Sequence, residues 1–143
     1  MKITICCSIQ FVYKIKEIAL NFEAKGHEVV IPDGAERILS GEITLEKFLD
    51  NVNNGEGARQ KIKHDVIRQY FKEIGNSDVI LILNLPKKGI DGYIGGNVFL
   101  EMGFAYVQNK KIFLYNPIPE MPYKEELITM QPIVINGNLN LIK

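Results

Sequence analysis

Lys2–Ile31 reads KITICCSIQFVYKIKEIALNFEAKGHEVVI, and this stretch decides the fold. Lys2 to Ser8 is a β-branched, apolar run without polar alternation, the pattern of a strand covered on both faces. From Val12 to Lys25 the apolar residues Val12, Ile15, Ile18, Ala19 and Phe22 recur at helical spacing, and Gly26 supplies the stop. His27 to Ile31 (HEVVI) is a second strand, and Pro32-Asp33-Gly34 is expected to close it as a turn. Strand, helix and strand in this order make a βαβ unit, whose strands are parallel and whose crossover is right-handed.

The pattern continues downstream. Val79 to Leu83 (VILIL) is the most apolar strand, Lys111 to Tyr115 (KIFLY) the next, and Pro132 to Ile135 (PIVI) a short last one. Between them Lys61 to Ile74 is predicted as one helix with Ile62, Val66, Tyr70 and Ile74 on its inner stripe. A second helix runs from the glycine pair Gly95-Gly96 to about Asn109, and Lys124 to Met130 forms a short third. Ala35 to Val52 carries two short helical patterns around Gly41, and Asn53-Asn54-Gly55-Glu56-Gly57 reads as a loop suited to a mobile lid. The expected architecture is α/β: a single domain over residues 1–143, a flavodoxin-like or Rossmann-like three-layer sandwich with a mostly parallel five-stranded sheet of order 2-1-3-4-5.

Composition narrows the function classes. With 17 basic and 17 acidic residues the formal charge is zero, so no global field recruits nucleic acid or an acidic membrane surface, and a small-molecule ligand is the better expectation. Cys6 and Cys7 are adjacent, point to opposite faces of a strand and do not suit a disulfide, which fits buried thiols in a reducing compartment. The chain starts in a strand without a charged leader, and no apolar run reaches the ~18 residues of a membrane span. A soluble, cytoplasmic protein is expected. Two histidines and adjacent cysteines give no metal-ligand spacing, and no cofactor is expected.

In this topology ligands bind outside the carboxyl ends of the strands, where neighbouring crossovers diverge. That rule places Ser8, Ile9 and Gln10 on one side of a crevice, and Asn84, Gly95, Gly96, Asn97 and Glu101 on the other. Asn116 and Pro117 lie at the same edge and are expected to wall it. Glu101 sits in the first turns of a helix among apolar neighbours, where an unpaired charge is costly. Free N–H groups behind the glycine pair suit an anion or a sugar oxygen, and the helix terminus is expected to favour the ionised carboxylate. An ionised carboxylate in a cleft can attack an anomeric carbon. Partnering the helix dipole is the plainer role for the same residue. At 100° per residue Val98, Phe99, Met102, Ala105 and Tyr106 face the sheet, whereas Leu100 and Phe104 fall on the far side, a hint of a homo-oligomer interface. His64 invites a general-acid role that capping or solvation also explains. Lys87 and Lys88 are read as a solvated pair in a loop, with phosphate contact the rarer reading.

Cys7-Ser8-Ile9, Ser77-Asp78-Val79-Ile80 and the run Asn97 to Ala105 with its Glu-Met-Gly-Phe-Ala core together resemble the nucleoside 2-deoxyribosyltransferase superfamily, including the 2′-deoxynucleoside 5′-phosphate N-hydrolases. The resemblance implies that Glu101 is the nucleophile at the deoxyribose anomeric carbon, and that Ser8 and Gln10 help to hold a nucleoside or its phosphate. It also exposes departures. A second carboxylate common in the family, six positions before the nucleophile, is Gly95 here, and the nearest acid is Asp91. An aspartate eight positions before the strand-opening Asp78 is replaced by Tyr70, with Asp65 about one and a half turns earlier. The proton donor to the leaving base is thus open among Asp91, Asp65 and Tyr70. The leading expectation is cleavage or transfer of an N-glycosidic bond of a (deoxy)nucleoside or its 5′-monophosphate. The alternatives are a nucleotide-binding or sensor module without turnover, and an interaction protein in which Glu101 only complements a helix dipole and titrates normally.

Overall fold

The computed structural model describes all residues 1–143. Five strands, β1 (Lys2–Cys6), β2 (Glu28–Val30), β3 (Val79–Ile82), β4 (Lys111–Leu114) and β5 (Ile133–Val134), form one sheet of order β2-β1-β3-β4-β5. Every pairing is parallel, so the sheet is wholly and not mostly parallel. β1 and β3 pair from Ile3 with Val79 to Cys6 with Ile82, which brings the segments following both strands to the same edge.

Helices flank the sheet because its two faces are both apolar. Ile3 and Ile5 of β1 and Cys7 just after it pack with Val12, Ile15, Ile18 and Phe22 of α1 (Val12–Glu23) and with Ala35 and Ile38 of α2 (Asp33–Leu39). The alternate residue Cys6 joins Ile80 and Ile82 on the other face, against Tyr70 and Ile74 of α5 (Val66–Gly75) and Val98, Met102 and Ala105 of α6 (Gly96–Val107). This period-2 alternation puts the two buried, free thiols on opposite faces, as expected. α3 (Leu45–Asn53) and α4 (Glu56–His64) bury no residue fully; they lie over the carboxyl edge of the sheet. α7 (Lys124–Thr129) adds Leu127 to the α6 face.

The motif Ser77-Asp78 proves to be a clasp at the opposite edge. The Asp78 carboxylate accepts the Lys2 N–H at 2.7 Å, and the Ser77 hydroxyl pairs with Thr4, so β1 and β3 are tied before their ladder begins.

Several local expectations need correction. Lys61 to Ile74 is two helices, not one: Asp65 adopts φ 47°, a left-handed conformation that aspartate tolerates better than most residues. The break rotates Ile62 out of the stripe, and it is 79% exposed. Asp33 and Gly34 belong to the first turn of α2 and not to a turn closing β2, because Pro32 supplies the fixed φ that starts the helix. The predicted lid loop reduces to Asn54-Gly55 between α3 and α4, with Gly55 at φ 84°. Tyr106 does not face the sheet; it is 47% exposed. Phe104 packs edge-on against Phe71 of α5 at 5.3 Å between ring centroids, so its apolar character is accounted for inside the chain, while Leu100 is 47% exposed.

No helix of the protein is long and apolar enough to cross a membrane.

Candidate active site

A cavity of about 320 Å³ opens at the carboxyl ends of β1, β2 and β3, roofed by α3 and α4. β1 delivers Ser8, Ile9 and Gln10 to it, and α6 delivers Gly95, Gly96, Asn97 and Glu101. These seven expected residues, together with Tyr70 of α5, do converge on one space.

Glu101 lies in the second turn of α6. Its carboxyl borders the cavity but is otherwise surrounded by protein, and this burial raises it from its ordinary 4.5 to about 8. The Cys6 thiol, donating from β1, and the Lys61 ammonium of α4 pull the other way and do not compensate. The expected ionised carboxylate is therefore corrected: the dipole effect fades beyond the first turn of a helix, and desolvation wins. Nor is Glu101 a solvated dipole partner with an ordinary titration. The neighbouring thiols respond in the same sense. Burial and the Glu101 charge hold Cys6 well above its usual range and push Cys7 up to about 12.

Tyr70 is committed to the backbone. In the β1–β2 ladder the Met1 carbonyl accepts from Glu28, and two residues on per step the Ile5 carbonyl falls opposite Pro32, which has no N–H to offer. The Tyr70 hydroxyl donates to that carbonyl instead. Burial holds the phenol well above its usual range, so it remains protonated, with its proton occupied.

Asn84, expected on the crevice wall, lies outside the cavity. Its side-chain oxygen accepts the Asn116 N–H at 2.8 Å, and its amide donates to the carbonyls of Asn116 and Pro117 at 2.9 and 3.1 Å. Asn116 answers by donating to the Asn84 carbonyl at 3.0 Å, so the pair locks the ends of β3 and β4 outside the cavity. Asn116 and Pro117 accordingly do not wall it. Asp91 is exposed and lies outside the cavity. Asp65 is also outside, paired with Arg68 at 3.1 Å, and His64 does not line the space.

The structure adds residues that the sequence reading passed over. Lys87 belongs to a tight turn in which Lys87 and Ile90 exchange both backbone hydrogen bonds across Lys88 and Gly89, at φ 53° and 73°. The turn folds Lys87 inward, where its ammonium donates to the Ser8 hydroxyl at 2.8 Å beside the Tyr93 ring. No carboxylate pairs with it, and burial lowers its pKa. Next to this pair is the start of α6, whose first intrahelical bond runs from Phe99 to Gly95, leaving the N–H groups before it free. A Cβ on Gly96 would meet nothing within 4 Å, so that glycine keeps the space there open. On the far side Asp33 and Arg37 of α2 and Phe48 of α3 complete the wall. Asp33 follows a strand at the ligand-binding edge, a signal masked by its Pro-Asp-Gly context.

One solved structure similar to this chain is that of Clostridium botulinum CMP N-glycosidase, BcmB. The match has a TM-score of 0.48 at 16% identity, over 95% of this chain and 90% of that one. No protein-family model matches the chain, and no curated protein matches it.

Proposed function

We propose that the cavity cleaves or transfers the N-glycosidic bond of a (deoxy)nucleoside 5′-monophosphate or its nucleoside, with Glu101 as nucleophile. The observation that carries this reading is a buried carboxyl opening on the same cavity as the Lys87 ammonium, which no carboxylate neutralises, and the Ser8 hydroxyl to which it donates. An anion held by Lys87, Ser8 and the free N–H groups of α6 sets a sugar over Glu101. The Glu101 carboxylate then attacks the anomeric carbon as the bond to the base breaks, and water or a second base releases the glycosyl enzyme. Before substrate binds, about one molecule in ten carries the ionised form at pH 7, given a pKa of about 8. The reaction therefore draws on a minor state until pH rises.

Incubation with a panel of deoxynucleosides and monophosphates, following free base, tests the proposal. Absence of base release by the unmodified protein, or release that survives Glu101→Gln, rules it out.

A second reading, a nucleotide-binding module without turnover, is favoured by the same protonated carboxyl. Thermal stabilisation by nucleotides without product would select it. For the assembly we propose a homo-oligomer in which the α6 surface around Leu100 meets a second copy, to be read by light scattering of a Leu100→Glu variant.

A further inference from the structure

Besides Glu101, Asp33 is the only carboxylate on the cavity wall. Its side chain is half-buried and makes no hydrogen bond or ion pair, whereas Arg37, one turn further along α2, is held at 3.2 Å by Glu42. Its placement is firm. A Cβ on the adjacent Gly34 would lie 2.7 Å from the end of the Phe48 ring and 3.3 Å from Ile9 Cγ1, so the first turn of α2 is pressed against an aromatic side chain that also lines the cavity. A half-buried acceptor on a wall that also carries an aromatic side chain suits the polar edge of a planar base.

The order of the strands fixes the direction in which a ligand extends. Lys87 and Glu101 follow β3, Ser8 follows β1, and Asp33 follows β2, two strand spacings from β3, or about 10 Å. With an anion at Lys87 and a sugar over Glu101, the base is carried across β1 toward Asp33.

We propose that Asp33 reads the nucleobase, accepting a hydrogen bond from an exocyclic amino group, so that the site takes a cytosine- or adenine-like base in preference to one bearing a carbonyl at that position. An ionised carboxylate accepts and cannot donate. An amino group such as cytosine N4 satisfies it, while the O4 of uracil would set acceptor against acceptor and leave both unpaired. The inference rests on the nucleotide reading of the site, and it goes further by naming the base class.

The test is a binding series by thermal shift with CMP, UMP, AMP and TMP on the full chain and on Asp33→Ala and Asp33→Ser, each first melted without ligand. The unmodified protein is expected to bind CMP about tenfold or more tighter than UMP. Both variants should lose that preference, binding CMP more weakly and UMP at least as tightly as the unmodified protein does. The proposal is overturned by equal binding of CMP and UMP to the unmodified protein, by a preference that survives in either folded variant, or by a uniform loss for all four ligands, which would mark a structural role. Failure of every nucleotide to bind or release base would instead overturn the nucleotide reading itself. Base release without an amino preference would overturn only the role of Asp33.

Discussion

Replacing Glu101 by Gln is expected to stabilise the protein, and by an amount that depends on pH. Burial raises the carboxyl from 4.5 to about 8, so the folded protein keeps a proton that the unfolded chain releases. Between those two values the unfolded chain binds fewer protons, and stability falls as pH rises, the reverse of a salt-bridged carboxylate. At about 1.4 kcal/mol per tenfold, the full gap corresponds to about 5 kcal/mol at alkaline pH. Because the carboxyl also borders the cavity, where water screens it, about half of that is expected to be realised. Glutamine is nearly isosteric and carries no charge to desolvate. At this chain length 1 kcal/mol shifts Tm by about 3 °C, so E101Q should melt roughly 6–9 °C above the unmodified protein at pH 9, with the difference shrinking to within about 2 °C at pH 5. Paired melts across this range cancel every titration that the two proteins share. A difference that stays constant from pH 5 to pH 9 would refute the buried-carboxyl argument, and a less stable E101Q at pH 9 would show that the ionised carboxylate is paired in the fold.

The same ionisation governs the proposed chemistry: kcat/KM for base release should climb about tenfold per pH unit from pH 6 and level off near 8, whereas a flat profile would mean that Glu101 does not need to lose its proton. Lys87→Met should weaken a nucleoside 5′-monophosphate at least tenfold and the matching nucleoside much less, read by thermal shift; equal losses would remove the anion role. Tyr70→Phe should cost about 1–3 kcal/mol in urea melts by orphaning the Ile5 carbonyl, and an unchanged midpoint would show that the carbonyl finds another donor. Asn84→Ala should destabilise by a similar amount while leaving the nucleotide affinity of the folded protein within about twofold; a selective loss of affinity would return Asn84 to the site.

How far the sequence carries these conclusions depends on how local each cause is. The strands were legible because β1, β3 and β4 are dominated by apolar residues, and a βαβ start points to a doubly wound sheet, within which the order 2-1-3-4-5 is a choice among known arrangements. That rule also located Ser8, Ile9, Gln10, Gly95, Gly96, Asn97 and Glu101, since each directly follows a central strand or opens the helix after one. The misses share a different origin. Asp65 keeps the helical pattern of Lys61 to Ile74 intact on paper, and only its left-handed backbone splits it. Asn84 sits at the right edge but turns toward β4, a choice set by the Asn116 backbone thirty-two residues away. Lys87 looks solvated until the turn at Lys88 and Gly89 folds it onto Ser8.

The ionisation of Glu101 is the extreme case. Its apolar neighbours in sequence announced a costly charge, but not which side the proton would take. That balance is struck by crowding at the sheet edge against Cys6 from β1 and Lys61 from α4, both from elements other than its own helix. The local contribution, the dipole of its own helix, favours the ionised form and is overruled. Where a functional group is governed by partners brought together only by the fold, sequence can name the group and its edge of the sheet, while its chemical state belongs to the assembled cavity.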